Sequence, residues 1–190
     1  MTMPTAQDLL DFWFDSAHEV RWFDRDDAFD ARIRERFGVL HAKAARGELA
    51  AWAETPDSWL ALLILLDQFS RNLYRDDSRA FACDLQAQTL ALAGIVRGHD
   101  TALPLLRRSF AYLPLEHAED AALQQRSVDL FGGLCTQAPN DERYADYLGY
   151  ARRHQAVIDR FGRFPHRNAI LGRRSTPAEE SYLAEPGAGF

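Results

Sequence analysis

The first polar group with side chains suited to chemistry directly follows an apolar run at residues 60–66. It contains an acid, a base and two amides: Asp67, Gln68, Arg71 and Asn72. Asp67 and Arg71 are four residues apart, so on a helix they share a face with apolar side chains of the run. Because a buried charge needs a partner, the group is interpreted either as ligand-binding or as an internal Asp67–Arg71 ion pair whose neighbouring amides hold loop backbone.

A second polar group is predicted to begin a helix after Pro114. Its members are Glu116, His117, Glu119 and Asp120. One interpretation is structural, because acids in the first turn of a helix stabilise its dipole. The alternative is that Glu116 binds a ligand. Glu116 and His117 are consecutive and point about 100° apart on a helix, so they do not reach one metal together. Spacings such as Glu-x-x-His or Cys-x-x-Cys are absent from the sequence, which predicts no metal and no cofactor.

The third group is a basic stretch near the end of the chain. Residues 160–174 contain five arginines and no acid. Such charges repel one another unless they meet solvent, carboxylates from elsewhere or an anionic ligand. Interleaved aromatic residues are expected to hold the stretch to the core. One interpretation is a basic loop that faces solvent. The other is that the stretch donates hydrogen bonds to a carboxylate or phosphate of a ligand. The candidate donors are Arg160, Arg163, His166, Arg167 and Asn168.

Three histidines are the candidates for acid–base chemistry: His117, His154 and His166. His154 lies on the apolar stripe of its predicted helix, where a histidine is either a core residue or a catalytic one. Asp67 or Glu116 would orient the reactive imidazole. A Gly-x-Ser-x-Gly elbow is absent, and Lys43, the only lysine, has no phosphate-loop or Schiff-base context.

These groups are positioned by helices, because helix signals recur along the chain and alternating strand patterns do not. Helices are predicted to begin at Thr5, at Asp26 or Asp27, at Thr55-Pro56, at Asp77-Ser78, near Leu103 and Leu115, at Pro139-Asn140-Asp141 and at Thr176-Pro177. Pro114 is expected to separate the helices near Leu103 and Leu115, and Gly162 to end the last long helix. Short connections favour antiparallel hairpins, so we predict an all-α array in a single domain over 1–190 with a frayed tail at 186–190.

Composition limits which binding partners and which cellular compartment we expect for the protein. The net charge of −6 argues against nucleic-acid binding. The longest apolar run, residues 59–66, is too short to cross a membrane, and the start of the sequence does not resemble a signal peptide. The two cysteines are expected to be reduced thiols. We therefore predict a soluble cytoplasmic protein; the sequence gives no indication of its oligomeric state.

Several long strings together resemble one protein family. They are residues 66–72 (LDQFSRN), 112–120 (YLPLEHAED), 160–168 (RFGRFPHRN), 170–173 (ILGR) and 176–180 (TPAEE), with FWF at 12–14 and RWF at 21–23. In this order they resemble the bacterial domain of unknown function 924 over essentially the whole chain. The resemblance implies an all-helical fold similar to tetratricopeptide-repeat proteins, and it implies no activity.

Three functional hypotheses remain open. The first is a polar pocket of arginine, histidine and carboxylate side chains that gathers all three groups and binds a small anionic molecule. The second is a tetratricopeptide-like scaffold whose arginines bind a protein or peptide terminus. The third is an enzyme that uses a histidine as general acid or base. A purely structural alternative is that the charges only pair with one another across helices.

Overall fold

The computed structural model describes residues 3–189, and all regular secondary structure in that range is helical. Within that range no strand occurs, so the predicted all-α class is confirmed. The helices are α1 (Ala6–Trp13), α2 (Asp27–Ala45), α3 (Pro56–Ile64), α4 (Ser70–Leu73), α5 (Asp84–Val96), α6 (Leu105–Glu116), α7 (Ala121–Gln137), α8 (Glu142–Phe161) and α9 (Pro177–Leu183). Among residues 3–189, no helix is both long and apolar enough to span a bilayer.

The chain divides into two compact units. One comprises residues 1–75 and 79–114, and the other comprises residues 76–78 and 115–190. The predictions of one domain over 1–190 and of a tetratricopeptide-like array stay predictions. Of the predicted frayed tail, residues 186–189 belong to the second unit and Phe190 lies outside the described residues.

The first unit is built around α3, which is buried on all sides from Trp59 onward. Its residues Trp59–Ile64 are at most 2% exposed, and α1, α5 and the 3₁₀ turn Ala50–Glu54 pack against them. A π-helical turn, Leu65–Phe69, joins α3 directly to α4, so the helical path predicted from Thr55 does reach Leu73. π turns are rare and add one residue to a helical turn. This turn carries Asp67 and Gln68, and α4 carries Arg71 and Asn72.

The second unit is dominated by α7 and α8. The two helices pack along each other and are joined by the short loop 138–141, which makes them antiparallel neighbours. Gly162 ends α8 with a φ of 69°, as its position predicts. Beyond it, Phe164 packs with Val157 and Ile158 of α8 and anchors the basic stretch. Thr176 caps α9 reciprocally with Glu179, as the Thr-Pro-x-Glu sequence predicts.

The prediction that Pro114 separates two helices is wrong. Helix α6 continues through Pro114 to Glu116, and α7 begins only at Ala121 after the cap residue Asp120. A single proline removes one N–H donor and crowds the carbonyl four residues earlier, but its φ suits a helix, so it does not by itself end one, and α6 runs two residues past it. Glu116 is therefore at a helix C-terminus, and the interpretation that it complements an N-terminal dipole is also wrong.

One further helix start and one cap contact differ from prediction. Residues Ser78–Phe81 form only a 3₁₀ turn, and α5 begins at Asp84. Thr55 does occupy the cap position of α3, but its hydroxyl lies 2.6 Å from the Ser58 hydroxyl and does not cap the backbone. Neighbouring hydroxyls compete for the same short-range hydrogen bonds, which sequence position alone does not resolve.

Candidate functional site

The first polar group forms an ion-pair network inside the first unit. Arg71 Nη1 lies 3.2 Å from Asp67 Oδ1, and the Arg71 guanidinium also donates to both carboxylate oxygens of Asp84 at 3.1 and 3.2 Å. Gln68 Nε2 donates to Asp67 Oδ2 at 2.6 Å. Burial disfavours the charged form of Arg71, but the two carboxylates outweigh it and raise the pKa of Arg71. The internal Asp67–Arg71 pair considered from the sequence is thus present.

Asn72 belongs to a second network in the same unit. Its Nδ2 donates to Asp30 Oδ1 at 2.8 Å, which links α4 to α2, and Arg75 donates to both oxygens of Asp30. Asp30, Arg75 and Asp84 were missed by sequence reasoning. For Asp30 a signal existed, because it lies three and seven residues before Ile33 and Phe37 on the apolar stripe of α2.

A buried histidine in the first unit was also missed. His41 Nε2 lies 2.8 Å from Ser70 Oγ, and Ser70 donates its one proton to the carbonyl of Leu66 at 2.6 Å. Ser70 must therefore accept from His41, so His41 carries a proton on Nε2. Burial lowers the pKa of His41, which favours its neutral form. Ser70 is fully buried, so this pair has the properties of a structural contact.

The second unit brings the sequence-predicted histidines together around one aromatic ring. The ring centroid of Phe164 lies 5.6 Å from that of His154 and 5.7 Å from that of His166, and Arg167 Cζ lies 4.5 Å above it. His117 is 6.2 Å from His154, ring to ring. We call Glu116, His117, His154, His166 and Arg167 the histidine–arginine cluster. Helix α8 provides His154, the end of α6 and the residue after it provide Glu116 and His117, and the 3₁₀ turn Pro165–Arg167 provides the rest.

His154 is held in one tautomer. Its Nδ1 lies 2.9 Å from the Tyr150 carbonyl and 3.3 Å from Glu116 Oε1. A carbonyl can only accept, so Nδ1 carries a proton. Burial lowers the pKa of His154 to about 3, and the neighbouring His117, Arg167 and His166 contribute in the same direction, so at pH 7 the ring is neutral and Nε2 holds a lone pair. His154 is consequently a neutral base oriented by a carboxylate at neutral pH.

The rim of the cluster is reachable from solvent. His117 and His166 are half-buried, whereas Glu116, His154 and Arg167 are buried. Arg167 Nη2 donates to the backbone carbonyl of His117 at 3.1 Å, which joins the basic turn to the residue after α6. The half-buried imidazoles therefore line the approach to the buried members.

Two other arginines of the basic stretch meet carboxylates of the protein. Arg163 binds both oxygens of Glu179 at 2.6 and 2.9 Å, and this contact lowers the pKa of Glu179 to about 2. Arg173 binds both oxygens of Glu119 at 2.6 and 2.9 Å. The like charges of the stretch are thus neutralised partly by acids from α9 and from the segment before α7.

The remaining predicted ligand-binding residues have protein contacts as well. Asn168 is buried and joins the side chains of Arg173 and Ser175. Arg160 is exposed and stacks on Phe161, with its Cζ 4.6 Å from the ring centre. Glu119, which also accepts from the Phe164 backbone N–H at 2.8 Å, was not among the predicted site residues. Nothing local marks Glu119 as different from its acidic neighbours.

The predicted site residues therefore fall into two sets. Asp67, Gln68, Arg71 and Asn72 lie in the first unit, and the others lie in the second. Their union in one pocket stays a prediction. A separate groove of about 520 Å³ in the first unit is lined by other residues: Ala44, Gly47, Leu49, Ala50, Leu62, Ala82, Leu85, Gln86, Thr89 and Leu90. Across residues 3–189, no group of three or more His, Cys, Asp or Glu side chains is arranged to hold a metal ion.

Acid should destabilise the protein through His154. The pKa of His154 is 6.5 in an unfolded chain and about 3 in the folded protein. Between these two pH values the unfolded state binds a proton that the folded state does not, so the free energy of unfolding decreases as the pH is lowered. From pH 7 to pH 5 this one group should cost about 2 kcal/mol. Urea unfolding at both pH values checks this for the natural chain and for His154→Gln, which lacks the titrating ring. Equal losses in the two proteins would contradict the prediction.

Comparison with known proteins identifies a family and a solved relative. Residues 9–187 match the model of the bacterial proteins of unknown function called DUF924. The chain is also similar to the structure of a protein of unknown function from Agrobacterium tumefaciens, with 46% sequence identity and a TM-score of 0.84 over 94% of this chain and 96% of that one. No curated protein matches the chain.

Proposed function

Because this chain belongs to the DUF924 family of bacterial proteins of unknown function, we propose its function from its own geometry: the histidine–arginine cluster binds a small anionic molecule. The observation that carries the proposal is the convergence of His154, His166 and Arg167 on the ring of Phe164, with His117 beside His154. Nitrogen-bearing side chains on a rigid apolar support are well suited to a carboxylate or phosphate.

Electrostatics support an anionic ligand over a cationic one. Besides burial, Arg167 contributes to the low pKa of His154, as a permanent positive charge beside that ring does. Glu116 is the acid of the cluster, and it is directed at the protonated Nδ1 of His154. An anion placed near the half-buried His117 and His166 would therefore meet favourable charge in a partly desolvated setting, where such charge is strengthened.

The proposal is tested by phosphate binding. Inorganic phosphate at 100 times its dissociation constant should add about 2.7 kcal/mol to the free energy of unfolding. Arg167→Gln should weaken phosphate binding about tenfold or more, measured by titration calorimetry on the folded variant. Arg174→Gln is the matched control, because Arg174 is exposed on the same stretch and is not among the predicted donors, so it should leave affinity unchanged.

A second variant guards against loss of the fold. His166→Gln changes a half-buried residue of the cluster, and it should weaken phosphate binding several-fold because a ring contact of the cluster is lost. Phosphate affinity that is the same in the natural chain, Arg167→Gln and His166→Gln would overturn the proposal. The peptide-scaffold and histidine-enzyme hypotheses stay predictions from the sequence.

A further inference from the structure

Two fully buried polar atoms on α7 lack hydrogen-bond partners among residues 3–189: Gln124 Oε1 and Ser127 Oγ. The amide nitrogen of Gln124 donates to the backbone carbonyls of Glu116 and Ala118, at 2.6 and 2.8 Å. Gln124 is thus fixed against the turn that carries two members of the histidine–arginine cluster. Ser127 is three residues further along α7 and so occupies the neighbouring position on the same helix face.

The orientation of the Gln124 amide is fixed by these contacts. Exchanging its nitrogen and oxygen would place an acceptor against two carbonyl oxygens, so the atom without a partner is the oxygen. A buried polar group that makes no hydrogen bond costs about 1–3 kcal/mol. The two atoms are one helical turn apart on α7, and Gln124 is tied to the turn that carries Glu116 and His117, so we interpret them as an acceptor pair that a bound molecule completes.

We infer that the ligand of this site carries a hydrogen-bond donor in addition to its anionic group, so that it is a small amino or hydroxy acid or its phosphate counterpart. The inference rests on the proposed function. Gln124 Oε1 can only accept, and Ser127 Oγ can accept while donating its own proton back to an oxygen. An N–H or O–H of the ligand is the complement of this pair, while the anionic end faces His166 and Arg167.

Selectivity follows from the same contacts. A site with buried hydrogen-bonding groups strongly rejects an analogue that lacks the matching group, because the protein atoms then stay unsatisfied. Matched series of short straight-chain carboxylic acids test this: unsubstituted, ω-hydroxy and ω-amino acids of increasing length. At the best length the hydroxy or amino acid should bind at least about tenfold more tightly than the unsubstituted acid.

Ser127→Ala is the diagnostic variant. It removes one acceptor, so the preference for hydroxy or amino acids over unsubstituted acids should fall several-fold. The free energy of unfolding without ligand should stay the same or rise, because an unsatisfied buried hydroxyl is lost. Ser181→Ala is the control, since Ser181 Oγ donates to the Pro177 carbonyl on the exposed face of α9 and should leave the preference unchanged.

The outcomes separate this inference from the proposed function. Phosphate binding without a preference for donor-bearing acids would overturn the inference and leave the anion site standing. A preference that survives in Ser127→Ala, with only a change in unfolding temperature, would mean that the pair holds a buried water, and it would also overturn the inference. Absence of binding by phosphate and by every acid would overturn both.

Discussion

Gly94→Ala should destabilise the protein by about 3 kcal/mol, because the added methyl group overlaps a buried indole. A Cβ at Gly94 would lie 2.1 Å from Cε2 and 2.4 Å from Nε1 of Trp59. Trp59 is 1% exposed, and its Nε1 donates to the Leu90 carbonyl at 2.8 Å, so the ring cannot retreat without losing that bond. Urea unfolding at neutral pH measures the loss.

Gly38→Ala is the matched control for this substitution. Gly38 is also inside a helix of the first unit, but the nearest atom to an added Cβ is Arg34 Cγ at 4.0 Å. Alanine should therefore raise stability by up to about 1 kcal/mol, as expected from helix propensity. If the free energy of unfolding falls in Gly94→Ala and rises in Gly38→Ala, the loss at Gly94 is due to the overlap with Trp59. A Gly94→Ala protein as stable as the natural chain would show that the indole is not confined as described.

Glu119→Ala should cost about 3 kcal/mol, because one carboxylate joins three donors that are distant in the sequence. Its oxygens accept two bonds from Arg173 and one from the backbone N–H of Phe164. Burial opposes its ionisation, but these donors outweigh burial and lower the pKa of Glu119. The substitution removes the partner of a guanidinium that is only 24% exposed and leaves the Phe164 N–H without its acceptor.

Denaturant unfolding at neutral pH measures this loss against a control. Glu180→Ala changes an exposed acid in the first turn of α9 and should alter stability by less than about 0.5 kcal/mol. The double variant Glu119→Ala with Arg173→Gln should lose less than the sum of the single losses, because both remove the same ion pair. Additive losses would show that the pair contributes little.

The parts of the fold that could be predicted are those specified by neighbouring residues. Thr176 and Glu179 cap α9 because they are three residues apart, and Gly162 ends α8 because it alone tolerates the positive φ found there. The Asp67–Arg71 pair likewise follows from a four-residue spacing. In each case the interaction is decided within a single helical turn.

The parts that could not be predicted depend on long-range packing. Glu119 meets Arg173 across 54 residues, and Asn72 meets Asp30 across 42. How the helices pack decides which acid neutralises which arginine. The sequence near Glu119 contains two other acids, Glu116 and Asp120, and no sign of the choice. The convergence of His154 and His166 on Phe164 has the same origin, so the sequence could nominate these histidines but could not place them together.

The π-helical turn Leu65–Phe69 has a consequence for insertions and deletions. Removing one residue from it would let the backbone relax into an uninterrupted α-helix, a local gain in regularity. Because the turn holds one residue more than an α-helical turn, losing that residue would leave α4 close to its present phase relative to α3, and Arg71 and Asn72 would still reach Asp84 and Asp30. A deletion inside the regular helix α3 would instead rotate every later side chain by about 100° and displace it by about 1.5 Å. The irregular turn is therefore the point at which this helical path tolerates the loss of a residue, whereas α3 does not.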